Sequence, residues 1–263
     1  MRKYLALGRL VLLDQLEYPA EFLYFLFLNA FPLFVMTYLW LAVYQSAQTI
    51  AGFDLNTIIT YFFLSFVVGR LNSDTAFYFA DLIREGDLTS YLLKPMVFIR
   101  YMFVHMVFRK IITFLISSPV IIIIFILLRN HFIQPPDLLT FLLFLVSVTL
   151  AMLMYALAGY LIGLFAFWTG DISGIYYFYY ALIGFLSGSV LPLSFFPAWL
   201  QQIINWLPFR YFIAFPINIY LGKYTPLQIL SNLAIGLIWF FLLYLIYRLI
   251  WKRGLRIYSG YGN

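Results

Sequence analysis

An all-α membrane protein with six transmembrane helices is the fold class that this 263-residue sequence predicts, and three observations predict it. Hydrophobic residues make up 65% of the chain and charged residues only 10%, where a soluble domain is about one quarter charged. Several apolar runs exceed the roughly 18 residues that a helix rising about 1.5 Å per residue needs to cross the hydrocarbon layer. None of these runs alternates apolar with polar residues, as the strands of an outer-membrane barrel do.

The elements follow in order. Residues 1–21 open with "MRKYLALGRLVLLDQLEYP", in which Arg2, Lys3, Arg9, Asp14 and Glu17 share one arc of a helical wheel while Tyr4, Leu5, Val11, Leu12 and Leu16 lie elsewhere. This predicts a helix lying in the membrane interface and ending near Pro19, with a frayed terminus as the alternative. The acidic residues and the missing small-residue cleavage site argue against a cleaved signal peptide. Spans are expected over roughly 22–44, 57–80, 104–128, 138–168, 175–192 and 228–250. Pro32 and Pro119 fall inside spans, where each removes a backbone hydrogen bond and favours a kink. Gly159 with Gly163, and Gly184 with Gly188, have the four-residue spacing of closely packed helices. Two outer loops are short and polar, and Pro135-Pro136 enforces an extended turn in one of them.

Residues 193–227 are too broken by proline to form one span. Trp199, Leu200, Ile203, Ile204 and Leu207 share one helical face there, and Gln201, Gln202 and Asn205 take the other. Short amphipathic helices dipping into the outer leaflet are expected, with Pro197, Trp199, Trp206 and Pro208 at an outer gate or interface.

Charge placement fixes an orientation. With both termini in the cytoplasm, Arg2, Lys3, Arg9, Arg84, Lys94, Arg100, Arg109, Lys110, Arg248, Lys252, Arg253 and Arg256 lie on or near that side. Arg129, Arg210 and Lys223 fall outside, and Arg70 lies within a span. Twelve against three obeys the positive-inside rule. The net charge of +6 is thereby explained by topology and predicts no nucleic-acid partner.

Catalytic groupings are missing. The chain has no cysteine and two histidines, His105 and His131, both expected near water-exposed helix ends, so no metal site is predicted. The phosphate-binding Gly-x4-Gly-Lys-Ser/Thr, His-Glu-x-x-His and Gly-x-Ser-x-Gly patterns are all absent, and no catalytic residue is assigned. Within the membrane, Arg70 stands four residues from Asp74, with Asn72 between them. Two readings remain open: a mutually neutralised pair joining helices, or a polar face lining a translocation path for a polar or anionic headgroup.

One further segment stands out. "LIREGDLTSYLLKP", residues 82–95, sets Arg84, Glu85 and Asp87 beside Leu88, Tyr91 and Leu92, with Gly86 permitting a turn and Lys94-Pro95 ending the helix. A short helix of this kind, held just outside the bilayer, suits a groove on a soluble partner; a solvated connecting loop is the alternative.

The order of parts resembles the permease subunit of the type-two family of ATP-binding-cassette transporters, over nearly the whole chain. "REGDLTSYLLKP" resembles the Gly-x-Leu-x-x-x-Leu-x-x-Pro pattern of a bacterial branch of that family, through Gly86, Leu88, Leu92 and Pro95, with Lys94 at the basic position. "LSGSVLPLSFFPAWLQQIINWLPFRY" resembles the branch's outer signature. The resemblance implies a bacterial inner-membrane exporter of a lipid, glycan, peptide or drug. It implies two copies of a cytoplasmic ATPase, which hold the ATP and magnesium, and a second permease of the same or a different chain. It makes Arg84 to Leu93 a coupling helix seated on the ATPase, and leaves this chain without a cofactor or enzymatic activity of its own. A self-sufficient secondary transporter or channel is the alternative; it would ordinarily need several intramembrane carboxylates.

Overall fold

A computed structural model describes residues 19–46, 48–72, 75–93 and 98–258, and every regular element among them is helical. The expected interfacial helix over 1–21 lies almost wholly outside the described residues, as do Asp74, Lys94 and Pro95. Helix α1 (Pro19–Val43) is followed by α2 (Leu55–Leu71), α3 (Ala76–Arg84), α4 (Leu88–Leu92) and the long α5 (Phe98–Leu128). The chain returns through α6 (Leu138–Gly163), with α7 (Ala166–Thr169) at its end and α8 (Ser173–Leu186) turning back. Helices α9 (Ala198–Trp206) and α10 (Ala214–Tyr220) then lead into α11 (Pro226–Ile257).

Three helices begin at one end of the molecule with a side chain satisfying amides that no preceding turn can reach. Asp54 accepts from the Thr57 amide at 3.0 Å, and Asp137 from that of Thr140 at 2.7 Å. Thr225 and Gln228 form a reciprocal capping box around Pro226. Pro136 marks this end, where Gly222, at φ +68°, packs so closely that an added Cβ would stand 2.7 Å from the Pro136 ring. At the opposite end the Tyr258 hydroxyl donates to the Gly86 carbonyl at 3.0 Å.

By length and composition, α2 with α3, α6 with α7, and α11 can each cross a membrane. Helix α5 is bent by 45° between Leu115 and Ser117, and with the turn at Arg129–His131 it makes a fourth candidate span. The bend has a local cause. Pro119 has no amide for the Leu115 carbonyl four residues earlier, and the Ser118 hydroxyl donates to that carbonyl instead, at 2.6 Å. Three spans, or four with the bent pair, therefore stand against the six expected. The apolar stretch Phe31–Val43 is shorter than a span. So is α8, whose 14 residues reach about 21 Å into a layer of about 30 Å.

Helix α6 is the hub, packed against α11, α10 and α3. Close approach to α3 is possible because residue 163 is glycine: a Cβ there would lie 2.7 Å from the Ala76 carbonyl oxygen. Gly188, expected within the fifth span, lies beyond α8 in a turn at φ +84°. The fully buried Tyr61 donates its hydroxyl to the Gly188 carbonyl at 2.6 Å, and Ala214 donates its amide to the Ser187 carbonyl at 2.9 Å. Near the Gly86 end, Trp251 stacks on Phe98 with centroids 4.9 Å apart, and Phe167 wedges between Trp251 and Tyr258. These rings fasten α5, α7 and α11 where the chain leaves the apolar layer.

Candidate functional site

The expected second span is two helices, α2 ending at Leu71 and α3 beginning at Ala76. A helix end leaves carbonyls without partners, and inside a membrane no water completes them. Neighbouring elements complete this one. The Lys110 ammonium of α5 donates to the Leu71 carbonyl, and the Asn72 amide nitrogen donates to the Phe212 carbonyl at 2.8 Å. The Thr75 hydroxyl donates to the Ala156 carbonyl of α6 at 3.4 Å.

Lys110 was not singled out by sequence reasoning, which grouped it with the basic residues near the cytoplasmic face. It is instead 1% exposed, with its ammonium 6.0 Å from the Tyr155 ring. The available signal is its distance along α5: twelve residues past Phe98 places it about 18 Å into the helix. His105 is likewise not at a helix end but lies against Tyr78, rings parallel at 4.3 Å. His131 does sit in a terminal turn, within 2.9 Å of Asn56. No metal-ligand cluster occurs among the described residues.

Beside the break lies a cavity of about 370 Å³ between α2, α5, α6 and α8, lined among others by Arg70, Asn72, Thr113, Tyr180 and Ser187. Two of the three residues predicted for a translocation path, Arg70 and Asn72, meet here; Asp74 is outside the described residues. The Arg70 guanidinium carbon lies 4.8 Å from the Phe66 ring centre. Asn72 Oδ1 and Ser187 Oγ are buried and have no hydrogen-bond partner among the described residues.

Toward the Pro136 end a second polar cavity, of about 310 Å³, is bordered by Gln201, Asn205, Arg210, Asn218 and Tyr224. Arg210 donates to Asn205 Oδ1 at 2.7 Å, to the Tyr211 hydroxyl at 3.1 Å, and to Asn232 Oδ1. Helix α9 is amphipathic: Trp199, Ile203 and Trp206 are exposed while Ile204 is buried. Pro197 caps its start, and Pro208 is buried in the following turn. Helix α10 departs from the expected surface role, with Ala214, Phe215, Pro216, Ile217 and Ile219 buried. Its apolar residues face protein on all sides, a distinction that composition cannot express.

Lys223, in the loop before α11, holds its ammonium 3.0 Å from the centre of the Phe53 ring. Burial lowers its pKa from 10.5 to about 8, partly offset by the Asp54 carboxylate. Between about pH 8 and 10.5 the unfolded chain therefore binds more protons at this position than the folded one, so the contribution to stability rises with pH. Thermal unfolding in detergent is expected to show this rise in the native chain, and Lys223→Met to remove that part of the slope. A Lys223→Met profile parallel to the native one across the window would contradict the assignment.

At the other end, α3 and α4 meet at Gly86, whose φ of +83° is open mainly to glycine. Arg84 pairs with Asp81 at 2.9 Å, and Tyr258 lies 3.1 Å from the Thr89 hydroxyl as well as on the Gly86 carbonyl. The turn is thus tied to the end of α11. Arg84, Glu85, Asp87, Leu92 and Leu93 are exposed, Leu93 at 81%. Tyr91 is half-buried and receives a hydrogen bond from Tyr101 at 3.2 Å, and Leu88 is fully buried. Of the two leucines in the predicted pattern, one therefore holds the turn to the body and the other faces outward.

The family model described as "ABC-2 family transporter protein" matches residues 30–262. No curated protein and no solved structure matches the chain.

Proposed function

Because the chain belongs to the ABC-2 family of transporter proteins, we propose that it is an export permease driven by a separate cytoplasmic ATPase that grips the turn at Gly86. The family match over 30–262 carries this reading. Six spans are proposed, with α1 and α8 joining the four long candidates, and both termini in the cytoplasm of a bacterial inner membrane. The Gly86 end is then cytoplasmic, and Arg84, Arg100, Arg248, Lys252, Arg253 and Arg256 obey the positive-inside rule there. Two ATPase copies and a second permease complete the assembly. Arg70 and Asn72 line the route of an amphiphilic or polar cargo, with Asp74 beside them in sequence; Pro197, Trp199, Trp206 and Pro208 stand at its outer mouth.

Coupling requires a contact that moves as a unit. The Gly86 turn supports such a role because Tyr258 ties it to α11 while its charged side and Leu92–Leu93 remain uncovered. Lys94 and Pro95 are proposed to extend that contact.

The test is co-purification with an ATPase encoded beside this chain. Leu93→Glu is expected to weaken the association about thirtyfold, the effect of losing one interfacial anchor, and to abolish permease-stimulated ATP turnover. The thermal transition of the permease alone should not move, since Leu93 is 81% exposed. Retention of both assembly and stimulated turnover in Leu93→Glu would place the contact elsewhere.

A further inference from the structure

We propose that the cavity beside the break in the second span binds the head of an amphiphile carrying an anionic group and a hydrogen-bond donor together, as a phosphodiester bearing a hydroxyl or an ammonium does. This deepens the reading of Arg70 and Asn72 as part of the cargo route and rests on it.

Each polar group in the cavity restricts the ligand. A guanidinium offers only donors and positive charge, so Arg70 calls for an anionic acceptor. Asn72 is fixed in the opposite sense. Its amide nitrogen is spent on the Phe212 carbonyl, which can only accept, so its Oδ1 is turned to the other side and asks for a donor. Asn72 is 3% exposed, and a buried acceptor left unsatisfied costs about 1–3 kcal/mol. Ser187, wholly buried, brings a hydroxyl with no partner among the described residues and serves either need. A ligand with only an anion leaves Asn72 unmet; one with only hydroxyls leaves Arg70 without a counter-charge.

Size and shape agree with a head group and not a whole lipid. The volume of about 370 Å³ is at the small end of ligand sites, which run from about 300 to 1,000 Å³. Its rim is apolar and open where Tyr180 and Val190 are exposed, which gives an alkyl tail a way out into the bilayer.

The experiment uses the full chain in phosphatidylcholine nanodiscs without ATPase, titrated with three radiolabelled dodecyl phosphodiesters that differ only in the head alcohol. Glycerol supplies hydroxyl donors, ethanolamine an ammonium donor, and choline none. Saturable binding of the glycerol and ethanolamine forms is expected, with the choline form about tenfold weaker or more. Arg70→Gln should weaken the two binders about tenfold or more, Arg70→Lys should restore much of the loss, and Ser187→Ala should cost several-fold. Equal binding of the choline form, or native binding by both Arg70→Gln and Ser187→Ala, overturns the proposal. Since no ATPase is present, such a result counts against the head-group assignment alone. ATPase association is read separately with Leu93→Glu. Native transport by an Arg70→Gln chain that no longer binds would overturn the route reading instead.

Discussion

Gly163→Val is expected to destroy the native packing of the transporter. A Cβ at this position meets the Ala76 carbonyl oxygen at 2.7 Å and the Phe79 Cβ and ring at 3.0 Å. The first obstacle is backbone at the start of α3, so no rotamer change relieves it, and Phe79 is itself fully buried. Overpacking a rigid core commonly costs about 1–3 kcal/mol. Here the added branch also separates α6, the hub, from α3, so the upper part of that range or beyond is expected. The readout is loss of a monodisperse peak in detergent together with a lower unfolding temperature. Gly174→Val is the control, because no atom lies within 4 Å of its added Cβ. A well-behaved Gly163→Val protein with an unchanged transition would show that α3 and α6 are not in contact as described.

Leu88→Glu is expected to unfold the Gly86 turn and not merely to detach a partner. Leu88 is fully buried, and a carboxylate forced into that position must either be desolvated or push the turn outward. A loss of about 3–5 kcal/mol follows if the turn holds its place. Detergent-solubilised protein should show both a lower transition temperature and rapid proteolysis near Gly86, even without any ATPase. Leu93→Glu, five residues away, should show neither change. If Leu88→Glu proved as stable as the native chain, the burial of that residue would be wrong and the whole face of α4 would need rotating.

These two leucines mark where sequence reading stops. Composition and run length were enough for an all-α membrane protein, because the cost of burying unpaired backbone leaves a spanning chain few other options. The kink at Pro119 was legible because its cause is local. Local signals also gave Gly86 as a turn and the amphipathic face of α9. In a chain that is 65% hydrophobic, however, apolar character no longer separates protein-facing from lipid-facing positions. Leu88 and Leu92 therefore look alike in sequence, and α10 reads as a surface helix although its neighbours enclose it. Lys110 failed for a related reason: a basic residue next to Arg109 suggests a membrane boundary, and only the break after Leu71, formed on another helix, explains a cation at that depth. Arg70 and Asn72 were visible as anomalies, whereas Ser187, an ordinary residue, joins them only through the turn that Tyr61 and Ala214 hold.

The tie between Tyr258 and the Gly86 carbonyl decides where force travels. Helix α11 runs 32 residues, about 48 Å, and its lone proline is at the first position, where it introduces no flexure. At one end this rod is bolted to the elbow; near the other, Asn232 receives the Arg210 guanidinium beside the outer chamber. A thrust on the elbow is therefore delivered across the bilayer as axial displacement of a single stiff strut, bypassing the interrupted second span.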